Sequence, residues 1–142
     1  ATKNARHNVD IMEKAVEKTG APIVGASSTC IMTMRDEYPH LLGIDNSKVR
    51  DSLDLATKFI FKKISEGKKL NFRKDFHARI AYHTPCHLER LGWEYFSIEL
   101  LKMIPGVELT VLESCCCGIA GTYGFKKENY EVSQAIGRPL FE

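Results

Sequence analysis

No apolar run in this sequence approaches the roughly 18–20 residues that a bilayer-crossing helix needs, so no segment reads as a membrane span. Docking on a membrane through a partner stays open. The opening, Ala1-Thr2-Lys3-Asn4, leads straight into an amphipathic pattern and carries no signal-peptide core. There is no Cys-x-x-Cys, which excludes a zinc ribbon or a thioredoxin-type pair. Covalent haem attachment through Cys-x-x-Cys-His is excluded with it, as is the Cys-x-x-Cys-x-x-Cys run of bacterial ferredoxins. Gly118-Ile119-Ala120-Gly121-Thr122-Tyr123-Gly124 only loosely resembles a nucleotide loop, because it lacks the G-x-G-x-x-G order. A net charge of +2 is too small to point to nucleic acid. No stretch is low-complexity.

What is present suits one compact domain: 142 residues, 44% hydrophobic and 27% charged. The densest basic stretch, Lys62, Lys63, Lys68, Lys69, Arg73 and Lys74, surrounds an expected helix end. Cations there complement the helix dipole, and the stretch reads as a solvated face rather than a docking patch. Five cysteines occur, Cys30, Cys86, Cys115, Cys116 and Cys117. The count is odd and three are consecutive. Adjacent cysteines pair poorly with each other, so a disulfide framework is disfavoured. Thiols kept for metal or redox work in a reducing compartment fit better.

The chain alternates helical and strand-like patterns. Val9, Met12 and Val16 define a helix over 4–18, stopped by Gly20. Residues 22–26 read as a buried strand. A short helix follows to about Glu37 and ends near Pro39. Asp45-Asn46-Ser47 signals a helix start, and Val49, Leu53, Ala56, Ile60 and Ile64 form an apolar stripe for a helix over 48–66. Residues 79–83 and 107–112 read as two further strands. A helix lined by Trp93, Phe96, Leu100 and Met103 lies between them and stops at Pro105-Gly106. A last helix begins near 128, with Val132, Ala135 and Ile136 facing inward until Pro139. This order predicts an α/β fold of Rossmann-like form, with strands 22–26, 79–83 and 107–112 in one parallel sheet flanked by helices. Both ends read as cut: the first and last elements lack partners. A faint echo between Ser28-Thr29-Cys30-Ile31 and Thr84-Pro85-Cys86-His87 suggests two related modules meeting between residues 40 and 46.

All five cysteines fall just past the carboxyl end of an expected strand. Ligands of open parallel sheets bind there, so parallel strands would carry every thiol to one rim. The loops also open helices, whose unpaired N–H groups favour thiolate over thiol. The competing reading is that a lone cysteine is a small buried hydrophobe. Both readings stand for Cys30. The Pro85-Cys86-His87 turn makes poor core material, and Cys116 and Cys117 cannot both enter one core from an extended segment. Cys115 reads as a bystander. His83 and His87 read as turn caps or partners of a sulfur rather than metal ligands.

Cys86-His87 followed by Cys116-Cys117-Gly118, with the leading cysteines 30 residues apart, resembles the cysteine-rich CCG repeat. That repeat is shared by the B subunit of heterodisulfide reductase and the iron–sulfur subunits of glycolate, lactate and glycerol-3-phosphate oxidation. Ser27-Ser28-Thr29-Cys30, Met34 to Leu42, Tyr82 to His87 and Cys116 to Tyr130 resemble most the glycerol-3-phosphate branch. The resemblance implies that residues 1–45 are the tail of a first repeat and residues 46–142 an incomplete second repeat. It implies that Cys86, Cys116 and Cys117 supply part of one iron–sulfur ligand set and Cys30 part of another. The downstream Cys-x-x-Cys of the repeat is absent, and Ser27 stands where many relatives have cysteine. The expectation is therefore a cluster in the intact subunit and none complete in these residues.

The implied partners are flavin-bearing dehydrogenase subunits, quinone and the membrane surface, with the protein peripheral on the cytoplasmic face. The implied role is electron transfer rather than substrate dehydrogenation, since no acid–base pair near a pocket is evident. Two other readings compete. One is a thiol/disulfide redox protein of the heterodisulfide-reductase kind. The other is a tethering module whose cysteines hold zinc.

Overall fold

The computed structural model describes residues 1–142. The amphipathic opening forms α1 (Thr2–Thr19), which buries Ala5, Val9 and Met12 and is closed by Gly20. It leads to β1 (Ile23–Gly25), which pairs in parallel with β2 (Leu53–Leu55), Ile23 opposite Leu53 and Gly25 opposite Leu55. A second parallel pair joins β3 (Ala78–Tyr82) to β4 (Val107–Val111), with Tyr82 opposite Val111. The α/β class holds, but the expected single sheet is two separate sheets of two strands each.

The reason lies at β2, a strand in the middle of the expected helix over 48–66. That helix is instead α4 (Ser47–Arg50) and α5 (Ala56–Ser65), separated by a strand whose three residues are all buried. Helical spacing of the apolar residues is outweighed by pairing with β1. Within β2 the buried Asp54 carboxylate meets the ammonium groups of both Lys58 and Lys62 at 3.1 Å. Pairing of β1 with β2 also joins residues on either side of position 45, so the chain folds across the expected repeat junction.

The segment after β1 does not end at Pro39. It runs through α2 (Ser28–Met32), a π-helical turn (Thr33–Glu37) and α3 (Tyr38–Leu42), and stops at Gly43 with φ 61°. Proline has no N–H, so the carbonyls four and five residues before Pro39, those of Arg35 and Met34, lose their helical donor. The buried Asn46 replaces it: its Nδ2 donates to Met34 O at 2.6 Å and to Arg35 O at 3.0 Å. Asn46→Ala is expected to lower stability by about 2–3 kcal/mol, because two interior carbonyls are left unpaired. Asn46→Asp should cost about as much near neutral pH, since a carboxylate cannot donate. Urea unfolding of the two variants checks both.

After β3 come α6 (Cys86–Leu91) and α7 (Glu94–Lys102). Trp93 is buried between them, and Phe61, Tyr95 and Phe96 stack edge to face over α5. Met103 lies on the outside rather than on the inner face. The main core gathers α1, α2, α4, β2, Leu88 and Trp93 around Ile31, which is fully buried.

The last helix, α8 (Tyr130–Phe141), continues through Pro139. Its buried residues are Ser133 and Gly137, whereas Val132 and Ile136 are exposed and Ala135 faces solvent. The apolar stripe at 132, 135 and 136 is thus the outer face.

Candidate metal centre

The parallel pairing of β3 and β4 sets their carboxyl ends side by side, and Leu112 N extends the ladder by donating to Tyr82 O at 2.9 Å. Cys86 opens α6 directly beyond β3, while Cys115 to Cys117 occupy the turn beyond β4. Two contacts pin the second turn against the first. His83 Nε2 donates to the Cys115 carbonyl at 2.8 Å, and Ser114 Oγ donates to Glu89 Oε1 at 2.8 Å. Within the turn, Gly118 N donates to Cys116 Sγ at 3.4 Å.

The two turns bring Cys116 next to Cys86 as a consequence. Cys116 stands beside Cys86, close enough to act on it by hydrogen bonding as well as charge, and Cys117 acts by charge. Partial desolvation pushes the Cys86 thiol up, and its two cysteine neighbours push it the same way. This corrects the expectation that the helix start would favour thiolate: α6 is only six residues long, and desolvation with neighbouring sulfurs outweighs its N-terminus.

Cys30 lies near the start of α2, where Ser27 Oγ accepts from Cys30 N at 3.4 Å. It is exposed and is not among the groups that act on Cys86. Its turn nevertheless reaches that of Cys86, because Thr29 Oγ1 and His87 Nδ1 lie 2.8 Å apart. Both histidines therefore hold turns together, His83 through a carbonyl and His87 through a hydroxyl, and neither hydrogen-bonds a sulfur. Cys115 directs its thiol to Glu113 O at 3.6 Å, away from the other two.

Soft thiol donors suit iron–sulfur or zinc chemistry. No three of the cysteine, histidine, aspartate and glutamate side chains converge on a point that would hold a metal ion. The donor type fits such a group, and the number of convergent donors falls short.

Support for the turn comes from α8, which periodicity placed on its wrong face. Ser133 Oγ donates to Gly118 O at 2.8 Å, and a Cβ on Gly137 would come within 2.7 Å of Cys117 O. The helix thus packs backbone to backbone on the cysteine turn. The pair Ser133 and Gly137, four residues apart, was the sequence signal for this close approach.

Two parallel strands ending in cysteine-bearing turns define a class, and residues 80–142 match its family, the CCG cysteine-rich domain. Along 99% of its length the chain is 54% identical to the C subunit of the anaerobic glycerol-3-phosphate dehydrogenase of Escherichia coli (strain K12), and it spans 35% of that protein. It is 31% identical to lactate utilization protein A of an Exiguobacterium species, over 92% of this chain and 54% of that protein. The B subunit of the fumarate reductase (CoM/CoB) of Methanothermobacter marburgensis is 29% identical over 94% of this chain and 27% of its own length. No solved structure matches. No helix is long and apolar enough to cross a membrane.

Proposed function

We propose that this chain is part of an iron–sulfur electron-transfer subunit of an anaerobic glycerol-3-phosphate dehydrogenase. Cys86, Cys116 and Cys117 would hold part of one cluster, and Cys30 part of another. Residues 1–45 would close a first cysteine-rich repeat and residues 46–142 would form most of a second. A bound cluster supplies one-electron transfer. The chain's own residues orient the sulfurs through the His83 and Ser114 contacts, and they leave Cys86 and Cys116 exposed at the rim. Electrons would come from flavin-bearing partner subunits and pass to quinone, with the complex peripheral on the cytoplasmic face of the membrane.

The observation that carries this reading is the placing of Cys86 and the Cys116-Cys117 turn at the ends of adjacent parallel strands, in a chain 54% identical to a dehydrogenase subunit of that name. The test is anaerobic purification of the full-length protein followed by iron, zinc and acid-labile sulfide analysis and visible absorption. Iron with sulfide, and bleaching of the chromophore by the reduced partner subunits, is expected. Zinc without sulfide would replace this reading with a tethering role. Turnover of a soluble disulfide would replace it with thiol/disulfide chemistry.

A further inference from the structure

Away from the cysteines, a cleft of about 470 Å³ opens between the π-helical turn, α3 and α6. Its floor is the buried Met32, and its rim carries the side chain of Leu41, 73% exposed. Charged groups make up most of the remaining wall, and their contacts divide them into two sets.

The carboxylates are already committed. Asp36 Oδ1 accepts from Arg50 Nη2 at 3.2 Å and lies 3.8 Å from Arg35 Nε. Glu37 Oε2 accepts from Thr33 Oγ1 at 2.6 Å. Of the two arginines that line the cleft, Arg50 spends Nη2 on Asp36. Arg90, on the opposite wall, makes no ion pair and no side-chain hydrogen bond. An arginine with its planar fork unspent, with a second arginine lining the same cleft of small-molecule size, matches the chemistry that holds phosphate or carboxylate.

We infer that this cleft binds a small dianion carrying phosphate or carboxylate groups, with Arg90 as its principal anchor and the donors of Arg50 not spent on Asp36 beside it. The α6 helix places Arg90 one turn beyond Cys86, so an occupant would sit beside the cysteine rim without touching the sulfurs. The cleft is too small and too sparsely basic for a nucleic acid backbone, which needs a longer track of cations.

Calorimetric titration of the full-length protein with inorganic phosphate, and separately with succinate, tests the inference. At least one probe is expected to bind, and Arg90→Gln is expected to weaken it about 10-fold or more. Arg90→Lys, which keeps the charge but loses the fork, should fall between. The unliganded melting temperature of Arg90→Gln should match the parent, because Arg90 supports no internal contact. Binding of phosphate alone or succinate alone identifies the source of the anionic group. Failure of both probes to bind, equal binding by Arg90→Gln, or a loss confined to association with partner subunits would overturn the inference.

Discussion

Gly118→Ala is expected to destabilise the fold by about 2–5 kcal/mol, the sum of a left-handed backbone penalty and an overpacking cost. Gly118 sits at φ 82°, and a Cβ built on it would lie 2.0 Å from Ser133 O and 2.9 Å from Ser133 C. Neither obstacle is a flexible side chain, so α8 itself must move. With it would go the Ser133 hydrogen bond to Gly118 O and the packing of Gly137 on Cys117. Gly121 is the control, because it shares the left-handed conformation at φ 66° but has nothing within 4 Å of its added Cβ. Gly121→Ala should therefore cost only the conformational part, about 1–2 kcal/mol. Urea unfolding of both variants separates backbone strain from lost docking. Equal losses would mean that α8 does not rest on the cysteine turn as described.

The second large effect concerns the sulfurs. In the full-length protein, Cys86→Ser and Cys116→Ser should each reduce iron retention by more than about 100-fold, since even loss of a supporting contact around a metal ligand costs about 10–100-fold. Cys115→Ser should leave iron content and visible absorption close to the parent, because that thiol turns to Glu113 O. His83→Phe lies between these cases. It keeps every sulfur but removes the donor to the Cys115 carbonyl, so the turn loses one of its two pins. Iron per chain, measured after gel filtration under anaerobic conditions, orders the four variants. Retention of a full iron complement by Cys116→Ser would remove that residue from the ligand set.

The parts of the fold legible in the sequence were those where local pattern and tertiary packing agree. The stripe of Val9 and Met12 in α1, and the strands β1, β3 and β4, are of this kind. The pattern misled where long-range contacts set the outcome. Leu53 sits on a helical stripe but is drawn into a strand by β1. Pro39 signals a helix end, yet Asn46, seven residues further on, satisfies the carbonyls that the proline orphans. Val132 and Ile136 read as a buried face, yet the small residues Ser133 and Gly137 alone permit the close approach that α8 makes. Cys86, Cys116 and Cys117 were identifiable as a group because their turns follow strands that prove to be paired and parallel. Thr29, Ser114 and Glu89, which tie those turns together, were not: an isolated polar residue has no periodicity, and its partner lies 25 or more positions away.

Every strand of this molecule has a neighbour on one side only. Two-stranded ribbons are marginal by themselves, and each unpaired edge is a template for another chain. Arg79 and Glu108, opposite each other in β3 and β4 and both exposed, put charge on the outer face of the longer sheet, a feature that discourages such pairing. Removing that charge, as in Arg79→Val with Glu108→Val, would make the face apolar and raise the tendency of the chain to self-associate.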